Sequence, residues 1–315
     1  MFSSKSKNLW RGISVGACIG MIISAFSLDG GEDLYRYYLP FANGCLSCGY
    51  MPYFAQWILA PLRLFPGFPL AWPVWTIFSA IGFLILTLFT GVNPLLFLIS
   101  FPMLGQIWLG QVDVLICAGV VIYLFGRNPF LRGIGIALAM MKPQLTGIML
   151  VACLLLESRT DLWKLLIIPL LIFIMSLFAY GYEWPLAWIS NALTGLPGHV
   201  WRLASMDIWK FGLVLLPVPL VFADRHERAQ AGLLVSALST PFFGVYSYII
   251  FLLLDARPLY VVVSYVWMLA IPWLGKDSMR LAWILPFSVL VDMVYRQLVR
   301  RRTHGSTAIL PTDGN

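Results

Sequence analysis

Apolar runs long enough to cross a bilayer recur from residue 12 to residue 296, and few charges interrupt them. In hydrocarbon every backbone N–H and C=O must find its partner inside the protein. Such runs therefore fold as packed helices or as a closed barrel. Barrel strands alternate apolar and polar residues with a period of two. Here the runs are apolar all round and broken by single prolines, glycines and charges, which selects the helical solution. With 60% hydrophobic and 11% charged residues, an ordinary soluble domain is excluded. The expected fold class is all-α, a polytopic transmembrane helical bundle of about 8–12 membrane helices, some of half length. Residues 1–315 form a single integral membrane domain on this reading.

The expected spans are 12–28, 71–91, 93–109, 111–125, 131–156, 164–180, 208–223, 229–254, 259–274 and 281–296. Lys5, Lys7 and Arg11 ahead of the first run resemble a signal peptide, but spans follow throughout, so an uncleaved first span fits better. Those cations, with Arg296, Arg300, Arg301 and Arg302, belong in the cytoplasm by the positive-inside rule. That makes 297–315 a cytoplasmic tail and places the acidic loop 29–70 outside a plasma or inner membrane. The net charge of +7 is thus a topology signal. A nucleic-acid partner would need a basic face on a soluble module, which is lacking here.

Two runs, 131–156 and 229–254, carry a proline near the middle, Pro143 and Pro241. Each is either one kinked span or a pair of half-helices that dips in and returns. The paired form gathers Arg159, Lys164, Arg225 and Arg228 on the cytoplasmic side and leaves Arg202 and Lys210 outside. The charge count favours it.

Asp29, Glu32 and Asp33 sit within five positions, directly after the first run, interleaved with Arg36 and tyrosines. Carboxylates concentrated at the mouth of a membrane helix point to a proton, a cation or a polar substrate. Leu34–Phe41 and Phe54–Phe65 in the same loop have helical spacing, with Tyr53, Trp57 and Arg63 suited to an interface. The loop 181–207, with Trp184, Trp188, His199 and Arg202, shares that aromatic character and the same side. Together the two loops can roof a cavity. Cys45 and Cys48 form a CxxC that is either a local disulfide or two free thiols, and zinc would need two further ligands. Cys18, Cys117 and Cys153 lie in apolar helices as packing residues.

Four landmarks fall in order across residues 29–143: Asp33-Leu-Tyr-Arg-Tyr37; Gly44 followed by Tyr50-Met-Pro-Tyr53 and Ala60-Pro61; Gly110-Gln-Val-Asp113; and a Gly133-Ile-Gly135 helix ending in Lys142-Pro143. In this order they resemble the GT-C superfamily of integral membrane glycosyltransferases, and most nearly glycosyltransferase family 87, the polyprenyl-phosphomannose-dependent enzymes. Asp113 stands where that pattern usually has Asn. The resemblance implies a GT-C-like bundle. It also implies transfer of a hexose, mannose by analogy, from a polyprenyl-phosphate donor to a glycolipid, polysaccharide or protein acceptor outside the membrane, with an acidic residue of the first external loop as base.

Such a transfer needs a base for the acceptor hydroxyl, a cation for the leaving phosphate and an apolar slot for the isoprenoid. The base expected is Asp33, with Asp29 as the alternative, and helix capping as the non-catalytic role for these carboxylates. Lys142, in an otherwise apolar helix, is expected to meet the donor phosphate, or else to snorkel to a helix end. Arg36 and Arg202 are further phosphate candidates. Glu32, Tyr37, Tyr53, Gln111, Asp113 and His199 are expected to line the substrate site. Gln106 is read as an interhelical hydrogen bond, Tyr246 and Tyr248 as packing, and Asp292 as the i,i+4 partner of Arg296. No metal or other cofactor is expected, since the donor is a single phosphodiester and a DxD pattern is absent. The alternative function is a secondary transporter or lipid flippase using the same buried charges, although no inverted repeat is visible.

Overall fold

The computed structural model describes residues 4–194, 208–241 and 243–306. Among them the chain is helical throughout, with no strand. Helix α1 spans Ser4–Ser27; a π-helical turn, Leu34–Tyr38, leads into α2, Leu39–Ala42; α3 covers Ala55–Leu59 and α4 Ala71–Thr90. Then come α5 Pro94–Leu98, α6 Phe101–Leu109, α7 Asp113–Phe125, α8 Pro129–Ala139 and α9 Pro143–Leu154. These are followed by α10 Arg159–Tyr180, α11 Trp184–Thr194, α12 Trp209–Gly212, α13 Arg225–Ser239, α14 Ile249–Leu252, α15 Pro258–Val263, α16 Ile271–Leu274 and α17 Ile284–Ser306.

Three stretches are long and apolar enough to cross a membrane: Ala71–Thr90, Arg159–Tyr180 and the mostly helical Pro258–Arg301. Several expected spans are subdivided instead. The 93–109 run breaks between α5 and α6, where Ser100 is extended ahead of the Pro102 turn. The 208–223 run decays after α12 into 3₁₀ turns at Leu213–Leu215 and Val218–Val221, because Pro217 and Pro219 lack the amide hydrogens an α-helix needs. The 259–274 run splits into α15, a 3₁₀ segment and α16. Helix α17 continues past residue 296 into the 297–315 segment, as far as Ser306.

Both proline-containing runs break and return. Pro143 disfavours the helical conformation at Lys142, which sits at φ −132° and ψ 77° between α8 and α9. Arg132, early in α8, binds the carboxylate of Glu157, just past α9. The two halves therefore start and finish at the same end. Thr240, extended ahead of Pro241, ends α13 likewise. Glu227 and Asp255, which bracket that pair, contact Arg300 at 2.5 Å and Arg296 at 3.1 Å, one turn apart on α17. Asn128 caps α8 by accepting from Leu131 N–H at 2.8 Å, and Asp224 caps α13 through Glu227 N–H at 2.9 Å. Helices α7 and α8 pack closely because Gly119 faces Gly135: a Cβ on Gly119 would lie 2.5 Å from Ala139 N.

The aromatic loops meet as expected. Trp188 Nε1 donates to Tyr50 O at 3.1 Å, Asn191 Nδ2 to Ser47 O at 2.9 Å, and Trp184 stacks on Tyr53 at 5.6 Å. Cys45 and Cys48 are disulfide-bonded in the turn that receives α11, while Cys18, Cys117 and Cys153 are free and buried.

Candidate functional site

A glycine turn assembles the cluster. Helix α6 stops where Gly110 takes φ +68°, and the Gly110 N–H donates to Ile107 O at 3.1 Å. A side chain at Gly110 would meet Leu34 Cβ at 2.8 Å, so glycine serves both the backbone angle and the approach of the first loop. Gly31 N–H donates to Trp108 O at 2.7 Å and fastens that loop against the turn. Gln111 and Asp113 on one side thereby face Asp33 on the other.

The π-helical turn sets which tyrosine joins them. Leu39 N–H donates to Leu34 O, one residue beyond α-helical register. Tyr38 consequently points inward and is buried, while Arg36 stays exposed and pairs with Glu32 at 2.8 Å. Asp33 precedes this turn and makes no capping bond, so the helix-cap role is overturned for it.

Lys142 reaches the cluster from the α8–α9 break. Its Nζ donates to Asp113 Oδ1 at 2.5 Å, to Tyr38 Oη at 2.9 Å and to Gln111 Oε1 at 2.9 Å. An ammonium has three protons, and all three are taken. Neither expectation for Lys142 describes this arrangement: it is buried rather than snorkelling, and protein acceptors occupy the place expected for a phosphate. Asp113, at 0% exposure, completes its shell by accepting from Ser247 Oγ at 2.6 Å. A buried ion pair offsets its desolvation only when the surrounding hydrogen bonds are made, as they are here.

The consequence reaches Asp33. Gln111 Oε1 accepts from both Lys142 and Tyr38, so the Nε2 side of the amide is turned toward Asp33 Oδ2, to which it donates. The relay runs Ser247, Asp113, Lys142, Gln111, Asp33. Burial pushes the Asp33 carboxyl up to about 6; Lys142 opposes the rise, Glu32 and Asp113 add to it, and Arg36 opposes it.

No protein-family model, curated protein or solved structure matches this chain.

Of the residues expected at the site, Asp33, Gln111, Asp113 and Lys142 come together. Asp29 is exposed, and none of the cluster's hydrogen bonds reaches it. Glu32 and Arg36 pair at the surface beside Asp33, Tyr37 packs on Tyr50 at 5.6 Å, and Tyr53 belongs to the aromatic roof. His199 and Arg202 lie outside the described residues. Gln106 is buried, but its amide makes no hydrogen bond among the described residues, contrary to the interhelical role expected. Asp292 does pair with Arg296, at 3.1 Å.

Tyr38 and Ser247 were missed. An i,i+4 spacing from Asp33 selects Tyr37, and only the π register brings Tyr38 inward. Ser247 belongs to a 3₁₀ turn that follows the Pro241 break, and its partner lies 134 positions away.

Proposed function

We propose that this protein is a membrane glycosyltransferase of GT-C-like architecture that moves a hexose from a polyprenyl-phosphate carrier to a hydroxyl acceptor. The observation that carries this reading is Asp33, a carboxylate raised to about 6 and held by Gln111 beside an aromatic roof. A base with a pKa near the working pH combines a useful deprotonated fraction with useful basicity. In the step proposed, an acceptor hydroxyl attacks the sugar's anomeric carbon, its proton passes to Asp33, and the C–O bond to the lipid phosphate breaks. Arg36, exposed in the same segment, is the cation offered to the leaving phosphate. Lys142 acts through Gln111 as a positioning residue. The sequence landmarks around Asp33, Gly110 and Lys142 support this reading, since three of the four contribute to one cluster.

The buried Asp113–Lys142 pair favours a second reading, an ion- or proton-coupled transporter, because intramembrane charges commonly mark transport pathways. Helix α7 has 13 residues and spans about 20 Å, so the pair lies well away from the arginine-rich end. One assay separates the two readings. Membranes containing the protein are given a radiolabelled polyprenyl-phosphate sugar, and label in the acceptor fraction is measured against membranes without it. Transfer supports the glycosyltransferase. No transfer, with solute uptake driven by a pH gradient, supports the transporter instead.

A further inference from the structure

At the far end of α7 from Asp33 lies a cavity of about 440 Å³, bounded by the ends of α7 and α9 and the start of α13. Leu124, Phe125, Glu157, Arg225, His226 and Arg228 line it. Arg228 is buried and donates through Nε to Phe222 O at 3.0 Å and through Nη2 to Ala223 O at 2.7 Å. Its Nη1 has no acceptor among the described residues. Arg225 donates to Leu124 O at 2.6 Å through Nη2, and its Nη1 stands 3.6 Å from Glu157. The Glu157 carboxylate is already held by Arg132. The ring of His226 lies edge-on to Phe125 at 5.6 Å, and its Nε2 is closed off from the cavity and makes no hydrogen bond among the described residues.

Three arginines therefore meet two carboxylates, Glu157 and Asp224, around this space, and Arg228 keeps one amino group without an acceptor among the described residues. One carboxylate is spent on Arg132 and the other on capping α13. The start of α13 adds the positive end of a helix dipole at the same place. Planar guanidinium groups suit tetrahedral oxyanions, to which they can donate in pairs. The rim is apolar: Phe125 and Leu156 are 45% and 55% exposed.

We propose that this cavity binds the phosphate of an amphiphile. Arg225 and Arg228 donate to the phosphate oxygens, and Phe125 with Leu156 carries the first part of the hydrocarbon. The inference does not depend on the glycosyltransferase reading, because it uses none of the Asp33 cluster.

The test is calorimetric titration of the full-length protein in uncharged detergent with dihexanoyl phosphatidic acid, dihexanoyl glycerol and inorganic phosphate. Phosphatidic acid should bind at least about tenfold more tightly than either of the others. Arg225→Gln combined with Arg228→Gln should weaken it by about tenfold or more, as expected for lost charge-assisted hydrogen bonds. Asp33→Asn should leave this binding unchanged. Equal binding of dihexanoyl glycerol would overturn the phosphate assignment, and equal binding of inorganic phosphate would overturn the amphiphile. Undiminished binding in a double variant that melts like wild type would overturn the site. Should that variant fail to fold, Arg225→Lys, which keeps the charge but loses the fork, goes through the same titration. Undiminished affinity there would overturn the role given to Arg225.

Discussion

Gln111 donates its side-chain amide hydrogen to the carboxylate of Asp33 across 78 positions of chain. The direction of that bond is imposed from behind, because Lys142 and Tyr38 both donate to the other end of the amide. A carboxylate in the first loop is thus coupled to an ion pair between α7 and the α8–α9 break, and that coupling can be tested at several points.

Asp33→Asn keeps the shape of the side chain but removes its basic oxygen. Turnover in the lipid-linked sugar assay should fall about 10²–10⁴-fold, the usual contribution of a general base, while donor binding persists. Asp29→Asn should cost much less, since that residue is exposed and outside the cluster. Near wild-type transfer by Asp33→Asn would sink the assignment.

Because the Asp33 carboxyl is raised to about 6, kcat/KM should climb with pH through about 6 and then level. Stability should move the other way. The folded state holds this proton at pH values where the unfolded chain has released it, so stability falls as pH rises from about 4 to about 6 and is flat beyond. Unfolding midpoints of wild type and Asp33→Asn across that window check this, and the variant should lose the slope.

Gln111→Leu removes the donor that orients Asp33 and one acceptor of Lys142. A hydrogen bond to the charged carboxylate favours ionisation, so its loss should shift the acid limb of the rate profile upward as well as lowering kcat. A purely structural role for Gln111 would lower activity and leave that limb in place.

Breaking the buried pair from one side leaves an uncompensated charge. Lys142→Met or Asp113→Leu alone should cost about 3–5 kcal/mol of stability, whereas the two together should cost distinctly less. Ser247→Ala, which removes one hydrogen bond, should cost about 1–3 kcal/mol. Unfolding in detergent measures all four variants, and strictly additive losses for Lys142→Met and Asp113→Leu would contradict the pairing.

The Arg132–Glu157 contact and the Arg225–Leu124 bond put the ends of α7, α9 and the start of α13 at one end. Single cysteines at positions 127, 159 and 224 should therefore react with an impermeant reagent from the same side of the membrane, and a cysteine at 43 from the other. Labelling of 159 together with 43 would contradict the paired half-helices.

Hydropathy alone specified an all-helical chain, because hydrocarbon tolerates no unpaired backbone. Pro143 and Pro241 alone specified the breaks, because proline removes an amide hydrogen and constrains the residue before it. Of the three carboxylates after the first run, Asp33 alone joins the buried cluster, while Asp29 is exposed and Glu32 pairs with Arg36 at the surface. Asp33, Gln111, Asp113 and Lys142 were legible as candidates, but their relationship was not. Lys142 looked available to a ligand until the fold supplied three acceptors from two distant segments. Tyr38 could not be chosen over Tyr37 while the turn was assumed to be α-helical, and Ser247 had no signal linking it to Asp113. Composition and local stereochemistry act within a few residues of themselves, whereas a charge deep in a bundle takes whichever partners close packing brings within about 3 Å. Only the tertiary structure decides those.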